Sequence, residues 1–205
     1  MMSFDKAAGQ MAGAWKMAFD KDGWKSALDR SIDGVFGSFS AFLFAAPLVA
    51  LFTATAKRAA TRMPDFPDTL YQTAPLAALI IADLSTYAID WGAGLAMLVL
   101  LARASGAGDR AADLIVGYNW IQPAIAAVQL PPIALMAATA SAAVSGLLAL
   151  PAFILTAFLI WGIIRRGLNV AAAQAAAAFI ALALIGIVID SFGSAALRAV
   201  YPAGS

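Results

Sequence analysis

Two aspartates stand seven residues apart in an otherwise apolar run, in the stretch Ile81 to Asp90, IADLSTYAID. On a helix this spacing puts Asp83 and Asp90 on one face, about 10 Å apart along the axis, with Thr86 and Tyr87 between them. An Asp at the centre of a bilayer costs roughly 2.5–3.5 kcal/mol on insertion scales, so two in one run need protein, water or a polar partner beside them. Other apolar stretches supply Asn119, Gln122 and Gln174, and no Lys or Arg lies at a matching depth. Three chemistries follow. The pair forms a proton or cation path where the carboxyls exchange protons with water. It acts as structural glue where the carboxyls bond Asn119, Gln122 or Tyr87. Alternatively the run breaks around Trp91-Gly92-Ala93-Gly94, and Asp90 caps the helix that follows. The last reading makes Asp90 a boundary residue and leaves Asp83 as the acid that depth alone does not explain.

A second acid sits in SGAGDR, residues 105–110, where Gly106-x-Gly108-Asp109 spells the GxGD string of intramembrane aspartyl proteases. Here Asp109 falls between Arg103 and Arg110 in a short polar loop, so a solvated Gly-rich turn accounts for it. As a phosphate loop it fails, because no strand precedes it and neither GxGxxG nor GK[ST] is completed. The chain has no Cys and no His, and all 12 acidic residues are Asp. Ser-His and Cys-His nucleophiles are therefore excluded, and a transition metal lacks its usual ligands. A net charge of +1 is no basic footprint for nucleic acid. We expect a non-enzymatic protein with no catalytic residue, no metal, no cofactor and no nucleic-acid partner.

The elements that must position these residues belong in lipid. The chain is 62% hydrophobic and 12% charged, with a mean hydropathy of +0.84, against about 25% charged for soluble domains. The expected fold is all-α, a polytopic helical bundle of about five transmembrane helices behind an N-terminal amphipathic pair. Residues 1–33 hold five of the 13 basic and five of the 12 acidic residues. Phe4, Ala8, Met11, Trp15, Ala18 and Phe19 share one arc of a first helix, opposite Lys6, Gln10, Gly13, Lys16 and Asp20. After the Asp22-Gly23 turn a second arc carries Trp24, Ala27, Leu28, Ser31, Ile32 and Val35. Trp15 and Trp24 suit headgroup level if the pair lies in the interface. The pair can equally pack on the protein's own bundle. No secretory-signal pattern is present, so the first span is expected to stay as an anchor.

The expected bundle covers residues 34–205, with spans at 34–56, 74–102, 114–130, 133–164 and 168–189. Pro47 suggests a kink in the first span. The loop after it carries Pro64, Asp65, Pro67 and Asp68. The 32 uncharged residues from Ile133 to Ile164 exceed one upright crossing, and Pro151 is expected to divide them. Ser141, Ser145, Ala171 and Ala175 are small residues spaced for close helix packing. An N-terminus in the cytoplasm puts nine Lys and Arg inside and four outside, which favours that orientation.

The run Gly106, Gly108, then GYNWIQP with Gly117, Tyr118 and Pro123, then LIWGIIRRGLNV with Trp161, Gly167 and Asn169, followed by an Ala-rich last helix, resembles bacterial members of the Yip family. These are the Ypt-interacting-protein-like five-span membrane domains. The resemblance covers roughly residues 90–190. The DLYGP-like string of eukaryotic members has no counterpart beyond Asp83-Leu84. It implies a multi-pass protein of the bacterial inner membrane, a cytoplasmic N-terminus, and association with lipid, other membrane proteins or a second copy. The leading expectation is a scaffold or membrane-organising protein. The alternative is a small-solute or proton-coupled transporter using Asp83, Asp90, Asn119 and Gln122, and it requires those four groups to converge on one cavity.

Overall fold

A computed structural model describes residues 3–63, 66 and 69–202 of the chain. Among the described residues it is all-helical. Helix α1 (Phe4–Ala18) begins where the Ser3 hydroxyl accepts from the Lys6 amide, with Asp5 in the first turn and Lys16 in the last, each complementing the helix dipole. The second amphipathic arc is not one helix. It forms a single turn, α2 (Trp24–Ala27), then an extended link, then α3 (Ile32–Ser38), which Ser31 caps. Local hydrogen bonding decides this: Asp29 Oδ1 accepts from the Ser31 amide and hydroxyl, holding the chain out of helix ahead of the cap.

Five helical segments are long and apolar enough to span a membrane: residues 32–62, 76–104, 108–139, 142–168 and 172–200. The chain is thus a multi-pass membrane protein. Span one joins α3 to α4 (Ala41–Arg62). Its break falls at Phe39–Ser40, while the expected kink site, Pro47, lies inside α4. Pro64, Asp65, Pro67 and Asp68 lie outside the described residues. A short turn, α5 (Leu70–Thr73), leads into α6 (Leu76–Ala104), which runs unbroken through Trp91-Gly92-Ala93-Gly94.

Span three extends well past its expected end. A 3-10 turn at Gly108–Arg110 leads to α7 (Ala111–Val128) and α8 (Leu130–Thr139). Pro131 and Pro132 start α8, where a proline's missing N–H has no intrahelical partner to lose. The division of the uncharged run falls at Ala140, in the left-handed conformation at φ 51°, and at Ser141, which caps α9 (Ala142–Leu168). Pro151 sits inside α9 and divides nothing. Helix α10 (Ala172–Val200) starts after a left-handed Asn169 and continues eleven residues beyond the expected end at Ile189. Helix α7 is the axis of the bundle, touching α1, α3, α4, α6 and α9. Its residues 116–123 are all buried. Helix α10 packs on the outside, against α6 and α9.

Helix α1 docks on α7 and α9, so the bundle itself is its partner. The docked face overlaps the predicted one only at Met11, Ala18 and Phe19. Ala7, Gln10, Gly13, Ala14, Met17 and Ala18 are buried, while Phe4 is 72% and Trp15 40% exposed. Small side chains let the helix approach closely, and a Cβ on Gly162 would collide with the Ala18 carbonyl oxygen. Gln10 is buried because its amide serves the link after α2: Nε2 donates to Ala27 O at 3.2 Å, and Oε1 accepts from Asp29 N at 3.0 Å. Trp24 is buried in the core cluster.

Candidate functional site

Three helix faces meet in the half of the bundle where α4 ends and α6 begins. Helix α6 contributes Asp83, Thr86, Tyr87 and Asp90, the stripe expected from spacing. Helix α10 contributes Gly186, Asp190, Gly193 and Ser194, also spaced one helix face apart. Helix α4 adds Val49, Phe52 and Thr53, and α5 adds Tyr71. The faces line an open cavity of ≈ 340 Å³ bounded by Asp83, Asp90 and Asp190, the last of them exposed. A second cavity of ≈ 200 Å³ shares Tyr71, Asp83, Thr86 and Asp190 and continues to Leu70 and Leu197, at the end of the bundle. Together they make one acid-lined chamber.

Close approach of α6 and α10 gives the chamber its shape. A Cβ on Gly193 would lie 2.5 Å from Thr86 Oγ1, so a larger residue there would force the Thr86 side chain to shift. The same construction at Gly186 lies 3.1 Å from Asp90 Oδ1, placing the Asp90 carboxyl against α10. Asp190 follows Gly186 by one turn on the same face, which brings the two acids to one wall.

Asp83 is fixed by neighbours. Its Oδ2 accepts from Thr53 Oγ1 at 2.6 Å and from Tyr71 OH at 2.8 Å. Thr53 is itself fully buried. Leaving such an acceptor unmet costs about 1–3 kcal/mol, and two hydroxyls meet it. Asp90 is half-buried at the midpoint of α6. It cannot cap a helix that starts at Trp91, since α6 carries straight through. The boundary reading of Asp90 is corrected on that ground.

The other sequence candidates separate. Asn119 is fully buried and outside the chamber: Oδ1 accepts from Trp91 Nε1 at 2.8 Å, and Nδ2 donates to Ser38 Oγ at 2.8 Å. Gln122 reaches the chamber wall only through a long bond, with Tyr87 OH donating to Oε1 at 3.4 Å. Gln174 is exposed in the first turn of α10, where Oε1 accepts from the Ala171 amide at 3.1 Å. It is a helix cap beside an apolar cleft lined by Leu101, Leu168 and Ala177. Ser145 and Ala175 are buried packing residues, and the Ser145 hydroxyl donates to Pro132 O at 2.8 Å. Ser141 and Ala171 are helix caps instead. Asp109 is exposed in the turn after Gly106 (φ 75°), as the polar-loop reading requires.

Asp190, Thr53 and Tyr71 were missed. Asp190 lies one residue past the expected end of the last span at 189, although Gly186, Asp190, Gly193 and Ser194 mark one small polar stripe on a helix. The described residues hold no group of three His, Cys, Asp or Glu able to bind a metal ion. Compared with family models, curated proteins and solved structures, the chain matches none of them.

Proposed function

We propose that this protein is a proton-coupled carrier of a small cationic solute, working without covalent chemistry. One observation carries the reading: Asn119 falls outside the cavity, but Asp83, Asp90 and the exposed Asp190, from two helices, line adjoining cavities between α6 and α10. Intramembrane carboxyls facing a cavity mark ion and substrate paths, and ≈ 340 Å³ lies within the range of small-ligand sites. Protons and a cation compete for the same oxygens, so loading one releases the other. The surplus of Lys and Arg on the N-terminal side supports a cytoplasmic N-terminus in the bacterial inner membrane.

The test is flux in proteoliposomes under an imposed pH gradient, scanning monovalent cations and protonated amines. Asp90→Asn and Asp190→Asn are each expected to reduce exchange at least tenfold while the protein still inserts. Absence of any gradient-driven flux in the wild-type protein across that panel would remove the reading.

A Yip-like contact role, with lipid, other membrane proteins or a second copy as partner, is the second reading. It is favoured by the first half of α9, where Leu147 (74%), Leu150 (63%) and Phe153 (62%) are exposed. Cross-linking through Leu147→Cys in a cysteine-free background distinguishes it: a specific dimer band supports contact between copies.

A further inference from the structure

The acidic chamber ends at Tyr87 and Asp90, and one residue further along α6 stands a buried polar knot. Trp91 Nε1 donates to Asn119 Oδ1 at 2.8 Å, Asn119 Nδ2 donates to Ser38 Oγ at 2.8 Å, and Ser38 Oγ donates to Val35 O at 2.6 Å. Ser38 and Asn119 are fully buried and Trp91 is 5% exposed. The knot joins the second, third and first spans in that order. It sits where span one is broken.

At the break the α-helical ladder gives way to three-residue turns: Phe39 N donates to Phe36 O, Ser40 N to Gly37 O, and Phe42 N to Phe39 O. Tightened turns inside a long helix are where hinges form. Ser38 before the break is tied to α7 through Asn119. Phe42 after it packs on α6, its ring 5.7 Å from Trp91 and 6.1 Å from Tyr87. The hinge is thus clamped on both sides at the inner end of the chamber. A purely apolar plug would need no buried amide there. A hydrogen-bonded one exchanges its partners for water when the chamber opens, so opening and closing differ by a small net free energy. Discontinuous helices form the central binding site in many carriers.

We propose that the Ser38–Asn119–Trp91 knot is the gate that closes the acidic chamber toward the N-terminal face, and that α3 moves at Phe39–Ser40 to open it. The gate rests on the carrier reading above.

Thr86→Cys, in the naturally cysteine-free chain, reports chamber access through a membrane-impermeant maleimide applied to right-side-out and inside-out vesicles. With the gate intact, labelling is expected from the face opposite the N-terminus and is slow from the N-terminal face. Adding Ser38→Ala should raise labelling from the N-terminal face about tenfold, the shift that losing one interhelical hydrogen bond of the closed state produces, and Asn119→Ala, which removes two, by at least as much. Retained labelling from the opposite face shows that the fold is intact. Ser38→Ala removes a single hydroxyl and decides the matter if Asn119→Ala does not fold. Unchanged labelling from the N-terminal face overturns the gate and leaves the chamber standing. Equal labelling from both faces with the gate intact also overturns it. No labelling of Thr86→Cys from either face removes the chamber, and the carrier reading with it.

Discussion

The two ends of this bundle treat the same side chain in opposite ways. On the N-terminal face three aspartates each meet a base at 3.0 Å: Asp29 with Lys6, Asp113 with Arg30, and Asp20 with Arg166. In the chamber, Asp83 accepts from the hydroxyls of Thr53 and Tyr71, and Asp90 and Asp190 face a cavity. At the first end the acids are fasteners. They tie α1 and the link after it onto α7 and α9, and Arg166 completes the clasp by donating from Nη1 to Ala18 O at 2.9 Å. At the second end the acids line space. A fastener gains from a fixed charge partner, whereas a group that must take up and release a cation loses its use once a base occupies it.

The comparison makes unequal predictions for stability. Gly162→Leu drives a side chain into the Ala18 carbonyl and should detach α1, costing about 3 kcal/mol by overpacking. Thermal unfolding in detergent, together with protease cleavage after Lys16 or Lys21, measures it; an unshifted melt with α1 still protected would mean the helix is not clasped there. Arg166→Met keeps the bulk but strips the donors to Ala18 O and Gly162 O. It should cost about 1–3 kcal/mol and expose the same protease sites. Asp190→Asn, exposed on α10, should change the melt by no more than about 0.5 kcal/mol, as surface changes do, while on the proposed carrier reading it reduces exchange at least tenfold. A large loss of stability from Asp190→Asn would erase the distinction between the two ends.

Acid has the smallest effect. Hydrogen bonding to Arg166, and then its charge, hold the Asp20 carboxyl below its ordinary value of 3.8. Hydrogen bonds from Ser31 and Lys6 do the same for Asp29. A depressed carboxyl adds stability that is fully present above the ordinary value and is lost as pH falls through the lowered one. The N-terminal segment should therefore stay protease-protected from pH 7 to about 4 and loosen only below that. Asp20 is exposed and Asp29 partly so, so the loss should be slight and should shrink further in high salt. Detachment at pH 5 to 6 would show that some other group controls docking.

Much of this was readable from residue order. The run from Leu76 to Ala104 is apolar enough to declare a span, and the Asp83–Thr86–Tyr87–Asp90 stripe follows from helical geometry alone. The boundaries were less readable. Pro47 and Pro151 look like breaks, but a membrane helix tolerates proline when neighbours meet the freed carbonyl. The actual division at Ala140 carries no proline or glycine signal, and the one at Phe39–Ser40 has only Gly37 just ahead of it. Helix α1 shows the same limit. Its large apolar arc is visible on a wheel, yet the docked face is the small one, because the depth of approach is set by the groove between α7 and α9.

Composition and order by themselves determined the class of molecule: all-helical, multi-pass, and without the thiols and imidazoles on which most enzyme sites are built. Hydropathy and periodicity are properties of one segment at a time, and they suffice for that. Which acids share a chamber was settled only by packing. Asp190 is 100 residues from Asp90 in the chain, and they meet because Gly186 and Gly193 let α10 close on α6. The same packing took Asn119 out of the chamber and set it against Ser38 and Trp91. Contacts between distant helices depend on both surfaces at once, and no single stretch of sequence contains both.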